Sequence, residues 1–248
     1  MSEILSPPLV WPALGMLTVT PHYSLFRANN VMQATGSCVW NGGSAVVHGW
    51  LNQKVAKTAH AELEAPVQSL QRYARGLGIE APLAGMMTAA SMKSLRFQLI
   101  QDEQMTLACI VTSGIENARR SGDPCDGDFS HRQLTQTGTI NIVLISNVAF
   151  APAARIEALM VATEAKTAVC YDLRVKSPVS GAPATGTGTD SICLLSGNSD
   201  LDALEYCGKH TRMGEWIGRA TYAAVRESVA ACLELSNGDA GAQPDSIA

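Results

Sequence analysis

Short apolar runs bounded by turn residues crowd the first 146 positions of this chain, and two long helical stretches, 151–175 and 211–235, stand behind them. That order predicts an α+β fold in a single domain, a mixed β-sheet covered by the two long helices. MLTVT (16–20), MQATGSCVW (32–40) and AVVHGW (45–50) read as strands, with Asn41-Gly42-Gly43 turning the chain between the second and third. Residues 61–75 read as a helix, LAGMMTAA, LRFQLIQ and MTLACIVTS as strands, and 121–133 as a polar loop. GTINIVLIS (138–146) and 190–195 are further strands. Pro152 suits the opening turn of the first long helix, where Ile156, Leu159, Met160, Thr163, Thr167 and Cys170 recur at helical spacing as an expected buried stripe. Met213, Ile217, Ala220, Ala224 and Ser228 make the corresponding face of the second. Residues 1–13 and 236–248 lack apolar periodicity. They are expected to be a flexible N-terminus and a disordered tail around one domain, 14–235.

Charge and cysteine usage exclude several classes of function. Eighteen Lys and Arg stand against 22 Asp and Glu, a net charge of −4, which gives no footprint for a nucleic acid backbone. No window of about 18 apolar residues occurs, so no membrane partner is expected. The first 20 residues show no secretion leader. Seven cysteines, an odd number without a C-x-x-C pair, fit buried thiols in a reducing, cytoplasmic setting.

The common catalytic signatures G-x-S-x-G, H-E-x-x-H and G-x-x-x-x-G-K-[ST] are absent. Gly76 to Ala81 matches G-x-G-x-x-A formally but follows a helix, which makes it a helix C-cap. Five polar clusters remain. Asn41-Gly42-Gly43 is either a hairpin turn or a close backbone approach to a ligand. Asn117 to Pro124, including Asp123, is either a solvated loop or part of a site. Ala184 to Asp190 repeats Thr-Gly before a strand, offering a concave run of N–H donors, three hydroxyls and the Asp190 carboxylate.

In the first long helix, Glu164 and Lys166 lie about 200° apart, so only one faces a cleft. Glu164 is expected there, because Lys166 could cover apolar surface with its stem. His210 precedes the second long helix, capped by Thr211, and the positive end of that dipole favours the neutral imidazole that a general base requires. Glu215 has an i+4 partner in Arg219 as its simpler explanation.

Together these clusters resemble the adenosylcobinamide amidohydrolase family of corrinoid salvage. The resemblance rests on Trp40 to Gly43, Met87 to Ala90, Val111 to Ala118, Ser121 to Pro124, Gly138 to Ile142, Ala162 to Ala168, Ala184 to Asp190, Tyr206 to Thr211 and Gly214 to Gly218. It covers about residues 30 to 232, with small departures such as Ser121 where alanine is usual. The resemblance implies hydrolysis of the amide that joins aminopropanol to a corrin side chain, converting adenosylcobinamide to adenosylcobyric acid. The cobalt corrinoid is then the substrate, with no cofactor required.

For such chemistry the residues offer His210 as general base, Asp190 or Glu164 as its orienting carboxylate, and the 186–189 N–H groups as oxyanion donors. Direct attack by Thr187 or Thr189 is the covalent variant. Asn41, Asn117 and Asn141 suit the peripheral amides of a corrinoid. Gly42, Gly43, Asp123, Lys166, Gly188 and Glu215 complete the expected substrate-binding set. Two alternatives stay open: a non-catalytic corrinoid or nucleotide-binding protein, and a metal-dependent amidase using His210, Asp190 and Glu164. The usual close ligand spacing is missing, so no metal is expected. A homo-oligomer is compatible with the sequence.

Overall fold

The computed structural model describes residues 7–56, 65–127, 138–197 and 203–240. At its centre run β7 (Thr106–Ser113), β9 (Ile140–Ser146) and β11 (Ser191–Ser196), buried along their whole length. Strands buried on both faces need cover on both, and alternate side chains divide between the two. Leu107, Cys109, Val111, Ile142, Leu144 and Leu194 pack against α2 (Pro152–Asp172) and α3 (Arg212–Ala240). Ala108, Ile110, Val143, Ile145, Cys193 and Leu195 point the other way, onto Phe26, Trp50 and Met86.

Those last three side chains belong to a half of the sheet that curls over the centre. β3 (Tyr23–Gly36) and β4 (Gly43–Lys54) form a long antiparallel hairpin whose register shifts between Arg27 and Met32. On one side of the shift, Gln33 to Gly36 pair with β11. On the other, Ser24 to Ala28 pair with β2 (Gly15–Val19), which carries β1 (Leu9–Trp11). Outside the curled half, Leu25 and Leu51 meet Leu70 and Ala74 of α1 (Pro66–Gly76), the crossover from β4 to parallel β5 (Ala84–Thr88). The layers are therefore α2 with α3, the central strands, the curled half, and α1. β6 (Arg96–Gln101) closes the far edge, and β8 (Ala118–Arg119) pairs with β10 (Gly186–Thr187) apart from the main sheet.

The α+β class, the single domain and the mixed main sheet with its two long covering helices agree with expectation. Three details differ. The segment 1–13 contains β1, whose Trp11 is buried, so the ordered fold begins before residue 14. At the other end α3 continues to Ala240, past the expected boundary at 235. Residues 1–6, 61–64, 128–133 and 241–248, on which parts of the expected termini, helix and loop fall, lie outside the described residues.

The third difference bears on chemistry: α2 faces the opposite way. Ile156 and Met160 are 53% and 57% exposed, while Ala154, Ala158, Val161, Ala162, Lys166, Val169 and Cys170 are buried. Of the expected stripe only Cys170 is buried. Alanines allow the helix axis to approach the strands closely, so the larger apolar side chains are left outside. On α3 the expected face is the observed one, since Met213, Ile217, Ala220, Ala224 and Ser228 are all buried. Among the described residues no helix is long and apolar enough to cross a membrane.

Candidate functional site

β9, α2 and β11 form a crossover in which β9 and β11 run parallel side by side. Asp190 stands immediately before β11, and Lys166 points at it from the buried face of α2. The two make an ion pair with side-chain exposures of 8% for the lysine and 11% for the aspartate. Burying two charges is costly unless their remaining hydrogen-bond capacity is filled, and here the carboxylate is surrounded. Oδ1 accepts the Ile140 N–H at 3.0 Å and the Thr187 hydroxyl at 2.5 Å; Oδ2 accepts the Thr187 N–H at 3.0 Å besides Lys166 Nζ. Gly186 makes this fit possible, because a β-carbon there would overlap Asp190 Oδ2.

The ion pair lies between two clefts and lines both. One, of about 460 Å³, has an apolar wall of Ile156, Leu159 and Ile192 and a backbone wall at Gly36, Ser37 and Gly43. The other, of about 300 Å³, is polar: Arg119, Arg120, Ser121, Thr163, Thr167 and the Thr185 to Gly188 segment enclose it. The sequence reading missed the contribution of Gly36, Ser37, Ile156 and Leu159. Only the exposed apolar side of α2 could have signalled it.

The expected site residues divide clearly. Asp190, Lys166, Thr187 and Gly188 gather at the polar cleft, and Gly43 at the apolar one. Glu164, by contrast, is exposed and ion-paired with Lys209, which corrects the expected orientation of the Glu164 to Lys166 turn. His210 is exposed in the loop before α3 and lines neither cleft. Thr211 does cap that helix, accepting the Gly214 N–H at 3.1 Å. Glu215 pairs with Arg219 at 3.1 Å, the simple helix contact.

The side chains of Asn41 and Asn141 serve the fold. Asn41 adopts a left-handed φ of 56° and donates to the Leu83 carbonyl at 2.9 Å, and a β-carbon at Gly42 would overlap the Cys38 carbonyl, so this segment is a tight turn. Asn141 is buried and saturated: it donates to Asn52 Oδ1 and to the Met87 carbonyl and accepts from Thr139. No amide of Asn141 is left for a ligand. Asn117 is buried too, with an Oδ1 that has no partner, while its main-chain carbonyl accepts the Gly188 N–H at 3.3 Å.

Three of the expected oxyanion donors are likewise engaged, the Thr187 N–H by Asp190, the Gly188 N–H by Asn117 and the Thr189 N–H by Thr187 Oγ1. Thr189 Oγ1 donates to the Gly138 carbonyl at 2.7 Å. Asp123 pins a loop. Hydrogen bonds from Ser177 and Ser180 and from the Arg120 N–H hold its carboxyl below the ordinary carboxylate range. Among the described residues no three His, Cys, Asp or Glu side chains converge as a metal site would require.

Comparison with known proteins bears on the chemistry. A family model described as adenosylcobinamide amidohydrolase matches residues 16–237. The uncharacterized protein MJ1613 of Methanocaldococcus jannaschii is 31% identical over 161 residues, covering 59% of this chain and 62% of that protein, less than two thirds of its length. An adenosylcobinamide amidohydrolase of Methanosarcina mazei is 30% identical over 203 residues, 79% of this chain and 87% of that one. Among solved structures, the PH0078 protein from Pyrococcus horikoshii OT3 aligns with a TM-score of 0.41 at 11% identity, covering 94% of this chain and 82% of that one. A Burkholderia sp. beta-aminopeptidase aligns at 0.40 and 11% identity, over 87% and 79%. At these scores neither structure bears on the site.

Proposed function

The chain belongs to the adenosylcobinamide amidohydrolase family, and on that premise we propose that it hydrolyses the aminopropanol amide of adenosylcobinamide to give adenosylcobyric acid, between the two clefts, in the cytoplasm. The observation that carries the proposal is the chain of contacts from Thr187 Oγ1 through Asp190 to Lys166 Nζ, all three residues lining the polar cleft. Amide hydrolysis asks for a nucleophile, a proton acceptor beside it and a positive group where the oxyanion forms.

Thr187 Oγ1 attacks the carbonyl carbon while its proton passes to Asp190 Oδ1, to which it is already hydrogen-bonded. The tetrahedral oxyanion meets the Lys166 ammonium, a role whose removal costs about 10²–10³ in rate in related chemistry. Collapse breaks the C–N bond and returns the proton to the departing aminopropanol nitrogen. Water then hydrolyses the Thr187 ester by the same steps in reverse. Cobalt belongs to the substrate, and none of these steps needs a further cofactor.

The test is incubation of purified protein with adenosylcobinamide, followed by mass spectrometry of corrinoid and amine. Stoichiometric adenosylcobyric acid and aminopropanol support the proposal. Tight corrinoid binding without turnover assigns the chain to non-catalytic binding instead.

A further inference from the structure

The polar cleft carries a charge that the chemistry above leaves unused. Three cations, Arg119, Arg120 and Lys166, and one anion, Asp190, line it, although the whole chain carries a net charge of −4. Lys166 is matched by Asp190, and Arg119 by Asp126, with a second Arg119 hydrogen bond of 3.0 Å to the Pro124 carbonyl. Arg120 differs: its guanidinium makes one hydrogen bond, from Nη1 to the Pro183 carbonyl at 3.0 Å, and meets no carboxylate among the described residues. Asp123, the acid nearest in sequence, takes the Arg120 main-chain N–H and the hydroxyls of Ser177 and Ser180. A half-buried guanidinium with spare donors, beside the hydroxyls of Ser121 and Thr185, is suited to bind a phosphate in a fork geometry. The β8–β10 pair fixes its position, because Arg119 and Gly186 are partners in register.

The direction of the substrate follows from the two clefts. The corrin macrocycle is the bulkier part of the substrate and carries methyl groups among its peripheral amides, so the larger cleft, with apolar surface at Ile156, Leu159 and Ile192, is the one that suits it. With the scissile amide at Lys166 and Asp190, the departing amine enters the smaller polar cleft toward Arg120. We propose that this cleft is a phosphate subsite, and that the preferred substrate carries a phosphate ester on the hydroxyl of its aminopropanol arm. This rests on the amidohydrolase reading and sharpens it: the unesterified corrinoid is the weaker substrate.

Two measurements test it. In the first, calorimetry on the intact protein compares aminopropanol O-phosphate with aminopropanol, and no turnover is involved. At least tenfold tighter binding of the phosphate ester, weakening with salt, is expected; equal binding overturns the subsite. The second compares kcat/KM for adenosylcobinamide and its phosphate ester in wild type, Arg120→Lys and Arg120→Met. The wild-type ratio is expected to favour the ester, to fall at least tenfold in Arg120→Met and to be partly restored in Arg120→Lys. A ratio unmoved by Arg120→Met, in protein of wild-type melting behaviour, overturns the assignment. Turnover of neither corrinoid, with the phosphate probe still bound, would instead defeat the amidohydrolase reading and leave the subsite standing.

Discussion

Gly186 and Asp190 pack so closely that a β-carbon on residue 186 would overlap the aspartate Oδ2 and lie 2.6 Å from Lys166 Nζ. Neither atom can yield without breaking the buried ion pair. Gly186→Ala is therefore expected to lower kcat at least tenfold, about 1.4 kcal/mol of barrier, and to lower the melting temperature as well. Wild-type kinetics from Gly186→Ala would show that the ion pair is not required.

Lys166 and Glu164 should differ in kind. Lys166→Met leaves Asp190 buried without its partner, at a cost of about 3–5 kcal/mol, together with loss of turnover. Replacing both charges, Lys166→Met with Asp190→Asn, should recover part of the stability, because the amide oxygen can still accept a main-chain N–H, and none of the activity. Glu164→Gln removes only an exposed contact with Lys209, worth about 0–1 kcal/mol, and should leave kcat within a few-fold of wild type. Denaturant melts with paired kinetics check all three variants.

The nucleophile can be read from a similar contrast. Thr187→Val keeps the shape of the side chain and removes the hydroxyl, so turnover should fall by orders of magnitude while corrinoid binding persists; Thr187→Ser should retain measurable activity. His210→Gln, altering an exposed ring outside both clefts, should keep kcat within a few-fold. Collapse of kcat in His210→Gln with Thr187→Val unaffected would return the reaction to water activated by a histidine base.

Thiol chemistry gives an independent check on the core. Burial pushes the Cys109 and Cys207 thiols up to about 12 and Cys170 to about 11. Cys193, buried beside Cys38, also lies well above the ordinary range. A raised thiol value means less thiolate at any given pH, and the thiolate is the reactive form. At pH 8 a disulfide reagent should therefore titrate one thiol quickly, the exposed Cys125, and the other six only after unfolding. A second fast thiol would mean that the core opens locally.

How much could be read from the chain depended on whether a segment's pattern had one physical solution. Ile142 to Ile145 is an unbroken apolar run inside the short segment Ile140 to Ser146, which suits a strand covered on both sides, so the sheet centre was legible. The α3 face was legible for a related reason, since Met213, Ile217 and small residues lie on one stripe. α2 offered two faces, one of large apolar residues and one of alanines with Lys166. Size pointed inward and close packing decided otherwise. Lys166 was read as a stem reaching water because its anion, Asp190, lies 24 residues away, beyond any local pattern. Asn141 looked like a ligand group for the converse reason. Its partners Asn52 and Met87 come from the curled half of the sheet, and the register shift that creates that half leaves little trace in sequence.

The position of β11 has a consequence for synthesis of the protein. This strand, ending at Ser196, is inserted between β3 and β9, which precede it in the chain and do not pair with each other. Until the ribosome has released it, both neighbours present open backbone edges, the form most prone to pair with another chain. Truncation before residue 191 removes the central strand rather than a terminal ornament, and such a fragment should be held by chaperones or aggregate. A cut placed after α3 instead leaves every strand partnered.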